Sequence, residues 1–158
     1  MRRALSAAAT AFALLGGFIV ALVAGMTVIS VIGRWSAAAP IPGDVELVQL
    51  GTASALALFL PYCQLHGSHL IVDIFTVRSG AALHRSLDAF AHVVAAAVLA
   101  LLAVRAAWGV ESLRAAAETS MVLGVPLWLA YAPMVPSLAL AALIALLRPR
   151  AAANEGAA

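Results

Sequence analysis

Charge is what this chain has least of. Of 158 residues, 10% are charged and 65% are hydrophobic, where soluble domains carry about 25% charged and 45–50% apolar residues. That deficit excludes a soluble globular domain and points to a chain embedded in lipid. Lysine is missing altogether. The nine basic residues are all arginine, the formal net charge is only +2, and the arginines are scattered at segment ends, so no nucleic-acid-binding patch forms. One cysteine, Cys63, lies within an apolar run. It excludes a disulfide framework within one chain and reads as a small buried apolar residue. Alternating polarity is also absent from the apolar runs, which excludes a transmembrane β-barrel. No shift in composition marks a second, soluble domain, so residues 1–158 read as a single membrane domain.

What is present is a set of apolar segments long enough to cross a hydrocarbon core about 30 Å thick. They run at about 10–32, 47–65, 86–108 and 125–147, and a flexible tail is expected over about 149–158. Without water to satisfy backbone groups, such segments must be helical. The fold class expected is therefore an all-α integral membrane protein with four transmembrane helices and short interfacial helical segments. The start, "MRRALSAAATAFALLGGFIVALVAGMTV", imitates a signal peptide. Its uncharged stretch runs from Ala4 to Gly33, well beyond a usual apolar signal region, and reads as a retained first span.

Orientation follows from the arginines. Arg2, Arg3, Arg78, Arg85, Arg148 and Arg150 fall on one side, and Arg34, Arg105 and Arg114 on the other. The excess places both termini in the cytoplasm. Asp44, Glu46, Glu111 and Glu118 then all lie outside, and Trp35, Trp108 and Trp128 all map to the outer interface, where indoles prefer to sit.

Ala13, Gly17, Ala21 and Gly25 put a small residue at every fourth position of the first helix, a smooth stripe expected to let another backbone approach. Gly51 and Ala55 repeat the pattern in the second. In the fourth segment Pro126 suits a first helical turn, whereas Pro133 and Pro136 should bend the helix or leave carbonyls for neighbours to satisfy. The first, second and fourth segments hold no charge at mid-depth, where an ion pathway or relay would need one. Arg85, Asp88 and His92 share one face near the start of the third and read as a local ion pair at the membrane boundary.

The stretch "QLHGSHLIVDIF", Gln64 to Phe75, is the chemically richest. Continued as helix it aligns His66, His69, Asp73 and Thr76 in one polar stripe on an otherwise apolar interfacial segment. If Gly67 breaks the helix, a new one begins along the membrane at His69. His69, Asp73 and His66 have spacing that one helix could present to zinc, without a further ligand cluster to complete the site. Histidines on different helices could hold haem, although His92 pairs poorly in depth with His66 and His69. Alternatively, His69 bonds Asp73 one turn later and fixes the turn.

Three runs in register, "PIPGDVELVQL", "GSHLIVDIF" and "ETSMVLGVPLWLAYAPMVPSLAL", resemble the small (Q-type) membrane subunit of tripartite ATP-independent periplasmic (TRAP) transporters. The matching positions are Pro42, Gly43, Glu46 and Leu47; Gly67, His69, Val72 and Asp73; and Ser120, Gly124, Pro126 and Trp128. Family members often carry arginine just before the Gly-x-His, where this chain has Leu65 and His66. The resemblance implies a non-enzymatic small permease subunit without cofactor or metal, in a bacterial inner membrane. Its implied partners are a large permease subunit, a periplasmic solute-binding protein and the bilayer, with no nucleic acid. The implied function is scaffolding for sodium-coupled import of an organic acid such as a C4-dicarboxylate. In that setting Glu46, with Asp44, would contact the permease or the binding protein. Pro42 and Gly43 would set the turn into the second helix, and His69 and Asp73 would fix its far end against the partner. Glu118 and Ser120 resemble a cap for the approach to the fourth helix. The competing expectation is a haem- or quinone-linked membrane anchor of a redox enzyme.

Overall fold

The computed structural model of the chain describes residues 2–37, 41–66 and 81–155. They form α1 (Arg2–Ala37), α2 (Asp44–His66), α3 (Ala81–Ala115), a single turn α4 (Trp128–Tyr131) and α5 (Met134–Glu155). Four stretches are long and apolar enough to cross a membrane: Arg3–Ser36, Asp44–His66, Phe90–Ala115 and Trp128–Leu147. No strand occurs among the described residues.

The helices pack in the order α1, α2, α5, α3, so that α2 and α5 are central and α1 touches little besides α2. Between α3 and α5, Ala96, Leu99 and Ala103 face Leu138, Ala141 and Ala145, all buried. Each helix offers two alanines and one leucine at the same three- and four-residue spacing. In lipid no hydrophobic force draws helices together, and close van der Waals contact over small residues is what remains.

Between α1 and α2 the close approach occurs at Gly16 and Gly51. A Cβ on Gly16 would lie 3.1 Å from the Ala55 carbonyl oxygen, and one on Gly51 would lie 2.5 Å from Val23 Cγ2. The stripe expected on α1 is therefore not the face that meets α2. Gly17 and Gly25 have open space where a Cβ would stand, and Ala21 is exposed. The physical reason is helical phase. The face that meets α2 carries Gly16, Ile19, Val23 and Ser30, and the four-residue stripe beginning at Ala13 runs beside it. Cys63 likewise points outward from the bundle rather than into it.

Two serine hydroxyls link the central helices, and proline accounts for one of these bonds. Pro61 has no N–H to give the Ala57 carbonyl one turn earlier. That carbonyl instead accepts the Ser137 hydroxyl from α5 at 2.6 Å, and Ser137 is completely buried. The segment with Pro133 and Pro136 is not one continuous helix. It is interrupted between Tyr131 and Met134, and the Ala130 carbonyl accepts the Ser54 hydroxyl from α2 at 2.7 Å. Ser137→Ala should lower stability in detergent by about 1–2 kcal/mol, because a carbonyl is left dry. The loss should shrink in a Pro61→Ala background, where an N–H returns to Ala57. A double-mutant cycle on the unfolding midpoint reads that coupling.

The span boundaries shift by several residues from the sequence reading, and two of the differences have a local cause. The fourth span starts at Trp128, not 125, because Pro126 is engaged in a bridge with Thr119. Helical backbone also extends to Glu155 across most of the segment expected as a tail. The alanines at 151–153 favour it intrinsically.

The end of α3 closes as a Schellman motif: Glu118 N–H donates to the Leu113 carbonyl and Ala117 N–H to the Arg114 carbonyl. Ala117 occupies the left-handed position with φ 50°, where a Cβ costs about 1 kcal/mol. Ala117→Gly should recover up to about 1 kcal/mol, seen as a small rise in the thermal midpoint.

Candidate functional site

The first and third of the matched sequence runs meet at one end of the bundle. Ile41–Asp44 forms a turn in which the Asp44 N–H donates to the Ile41 carbonyl at 3.3 Å. Pro42 supplies a preset φ, and Gly43 takes the positive value, +75°. This is the pairing a type II turn demands. The turn aims α2 back into the bundle, and Asp44 ties it to α1. The Asp44 Oδ2 accepts the buried Ser30 hydroxyl at 2.6 Å and an Arg34 guanidinium N–H at 3.2 Å.

One residue pair further on, Glu46 reaches the loop before α4. Its Oε1 accepts the Met121 N–H at 2.9 Å and the Val122 N–H at 3.2 Å. Its Oε2 accepts the Val122 and Leu123 N–H groups at 3.3 and 3.4 Å. Three successive amides thus converge on one carboxylate, a nest filled from within the chain.

The loop has its own internal frame. Ser120 N–H donates to the Val125 carbonyl at 2.9 Å, Gly124 N–H to the Ser120 carbonyl at 3.2 Å, and Leu127 N–H to the Glu118 carbonyl at 3.1 Å. The Ser120 Oγ accepts the Val125 N–H at 3.3 Å. Gly124 has φ +65°, which lets the chain reverse there without a Cβ penalty. Below the reversal, Pro126 bridges Thr119, and Trp128 opens α4 with the Arg114 guanidinium 4.8 Å above its ring, within cation–π range. Gly43 touches the same loop: a Cβ there would stand 2.6 Å from Leu123 Cγ. Its bare α-carbon is needed both for the turn and for the contact.

Pro42, Gly43, Glu46, Ser120, Gly124, Pro126 and Trp128 therefore belong to one assembly. Gly67, His69 and Asp73 lie outside the described residues. So does much of the polar stripe proposed for that stretch; His66, its first member, donates Nδ1–H to the Tyr62 carbonyl at 3.1 Å. Among the described residues no group of three or more His, Cys, Asp or Glu gathers as a metal-ion site. His92 sits on α3, separated from the α2 histidine by α5.

The residues missed by sequence reasoning are Ser54, Ser137 and Pro61. A signal for one was present: a proline within a span orphans the carbonyl four residues before it, here Ala57. No local pattern connects Glu46 with amides 75 to 77 residues away.

A second feature is a groove of about 510 Å³ between α1, α2 and residues 125–133. Ile19, Met26, Leu47, Pro126 and Leu129 line it. The Ser54 hydroxyl, which also reaches it, is already committed to two backbone carbonyls.

A family model described as "Tripartite ATP-independent periplasmic transporters, DctQ component" matches residues 23–152. No curated protein and no solved structure matches the chain.

Proposed function

The chain belongs to the DctQ component family of the tripartite ATP-independent periplasmic transporters, and from that we propose that it braces the large permease subunit and carries no solute itself. The transport it serves is sodium-coupled, binding-protein-dependent import of an organic acid such as a C4-dicarboxylate. The membrane is the bacterial inner membrane, with both termini on the cytoplasmic side.

The observation that carries this reading is the state of α1. A helix of 36 residues is held along one side by α2, and the remainder of its circumference, including Phe18, Val28 and Ile29, is uncovered. The small residues Gly17, Ala21 and Gly25 lie in that uncovered surface, and such residues allow close backbone approach in lipid. Two further features support a bracing role. The groove beside α1 is apolar and offers no partner for a carboxylate solute. The Glu46 carboxylate is occupied by the chain's own amides.

Co-purification tests the reading. The chain carrying Gly17→Leu and Gly25→Leu together should lose the large permease subunit in a detergent pull-down, because two branched side chains would stand where backbones approach. Full retention of the large subunit by that variant would remove the α1 face from the account.

A further inference from the structure

The Glu46 nest has a consequence beyond the subunit contact. Apart from Thr119, the backbone donors from Glu118 through Leu127 are consumed in turn. Glu118 gives to Leu113, Ser120 to Val125, Gly124 to Ser120 and Leu127 to Glu118. Met121, Val122 and Leu123 give to Glu46, and Val125 gives to the Ser120 hydroxyl. Pro126 has no N–H to give. Yet the tip of this loop is bare: Met121 is 99% exposed, Val122 59% and Leu123 38%. None of the four tip residues, Met121 to Gly124, has a polar side chain.

A loop of free amides is excluded from an apolar phase because each unsatisfied group is costly there. This loop has met that cost for the donors at its tip and turned apolar side chains outward. Contact with Glu46 and Gly43 holds it level with the first turn of α2, where a span begins. The same end of the bundle carries the Arg114–Trp128 pair and an exposed Trp108, residues suited to the headgroup boundary.

We propose that Met121–Leu123 is a wedge that sits in the lipid interface of the leaflet at this end, and that Glu46 is the positioning residue that keeps it there by satisfying its amides from inside. The occupant of the apolar tip is lipid. The loop is continuous through Pro126 with a membrane span, and its reach is set by the bundle itself, so the chain alone suffices to place it. The wedge would fix the vertical position and tilt of the subunit at one face of the bilayer.

The test is nitroxide accessibility in phospholipid vesicles containing the full chain alone. A spin label is placed by Met121→Cys, and separately by Val122→Cys, in a Cys63→Ser background. Both positions are exposed, so labelling leaves the packing intact. The proposal expects collisions with dissolved oxygen to exceed those with a water-soluble nickel chelate at both sites. Adding Glu46→Ala should reverse that order. Free access of the nickel chelate in the Glu46 protein would overturn the lipid wedge. Loss of collisions with both reagents, together with an immobilised spectrum, would overturn it in favour of a protein contact. Unchanged depth in a folded Glu46→Ala chain would overturn the positioning role of Glu46.

Discussion

Gly16→Leu should separate α1 from the rest of the bundle. The Ala55 carbonyl and the Leu58 Cβ stand 3.1 and 3.2 Å from where a Cβ would be. The first of these is backbone and cannot swing away. Four added carbons therefore force the helices apart along their length, and small-to-large changes in a packed contact cost about 1–3 kcal/mol, with backbone obstruction at the upper end. Because α1 has little else to hold it, the effect should reach beyond a lowered midpoint. Detergent unfolding should lose cooperativity, and α1 should become susceptible to proteolysis at its ends. Gly17→Leu is the matched control. It adds the same carbons one residue along, into open space, and should leave the midpoint of the isolated chain unchanged. The two variants have the same composition and nearly the same helix propensity, so a difference between them reports only the face.

The second large effect is at Glu46. In Glu46→Ala the Met121, Val122 and Leu123 amides lose their shared acceptor, and the frame through Ser120 loses a support. Amide exchange across residues 120–125 should accelerate by at least about tenfold, the response expected when a locally held loop opens while the bundle persists. Glu111→Ala provides the comparison. Glu111 is an exposed carboxylate on α3, and its removal should leave loop exchange as it was. Glu46→Gln should fall between, since an amide oxygen still accepts but its N–H₂ group opposes the nest. Equal exchange in all three variants would show that the loop stands without the carboxylate.

These two sites also show what a sequence yields and what it withholds. The four spans were legible because lipid demands long apolar helices and little else satisfies the backbone. The turn at Pro42–Gly43 was legible because its chemistry is local: a fixed φ followed by a residue free to take a positive one. The contact face of α1 was not. An alanine-rich helix has small residues in several phases, so a stripe at Ala13, Gly17, Ala21 and Gly25 is no better marked than the neighbouring face with Gly16, Val23 and Ser30. Only the partner helix, presenting Gly51 and Ala55, selects between them. The break in the fourth span shows the same limit at closer range. Pro126 is tolerated at a first helical turn, and nothing nearby reveals that Thr119 will hold it in a bridge instead.

Glu46 is the clearest case. Its place near the start of an apolar span marks it as unusual, and an outward-looking carboxylate suggests a partner. The structure turns it toward its own chain, to amides that become neighbours only after α2, α3 and the connection between them are in place. Ser120 and Gly124 then read differently too. Their spacing serves the loop that receives the carboxylate, with one hydroxyl accepting the Val125 N–H and one glycine permitting the reversal. The family resemblance located these residues, and the geometry supplies what they do together.

Reconstituted transport tests the central claim most directly. Vesicles are prepared with this chain alone, with the large permease subunit alone, and with both, each with the solute-binding protein outside and an inward sodium gradient. Uptake is followed with a panel of labelled organic acids beginning with C4-dicarboxylates. Bracing predicts no uptake by this chain alone, sodium-dependent uptake by the pair, and a large loss when this chain is omitted. Uptake by this chain alone, or undiminished uptake without it, would contradict the account.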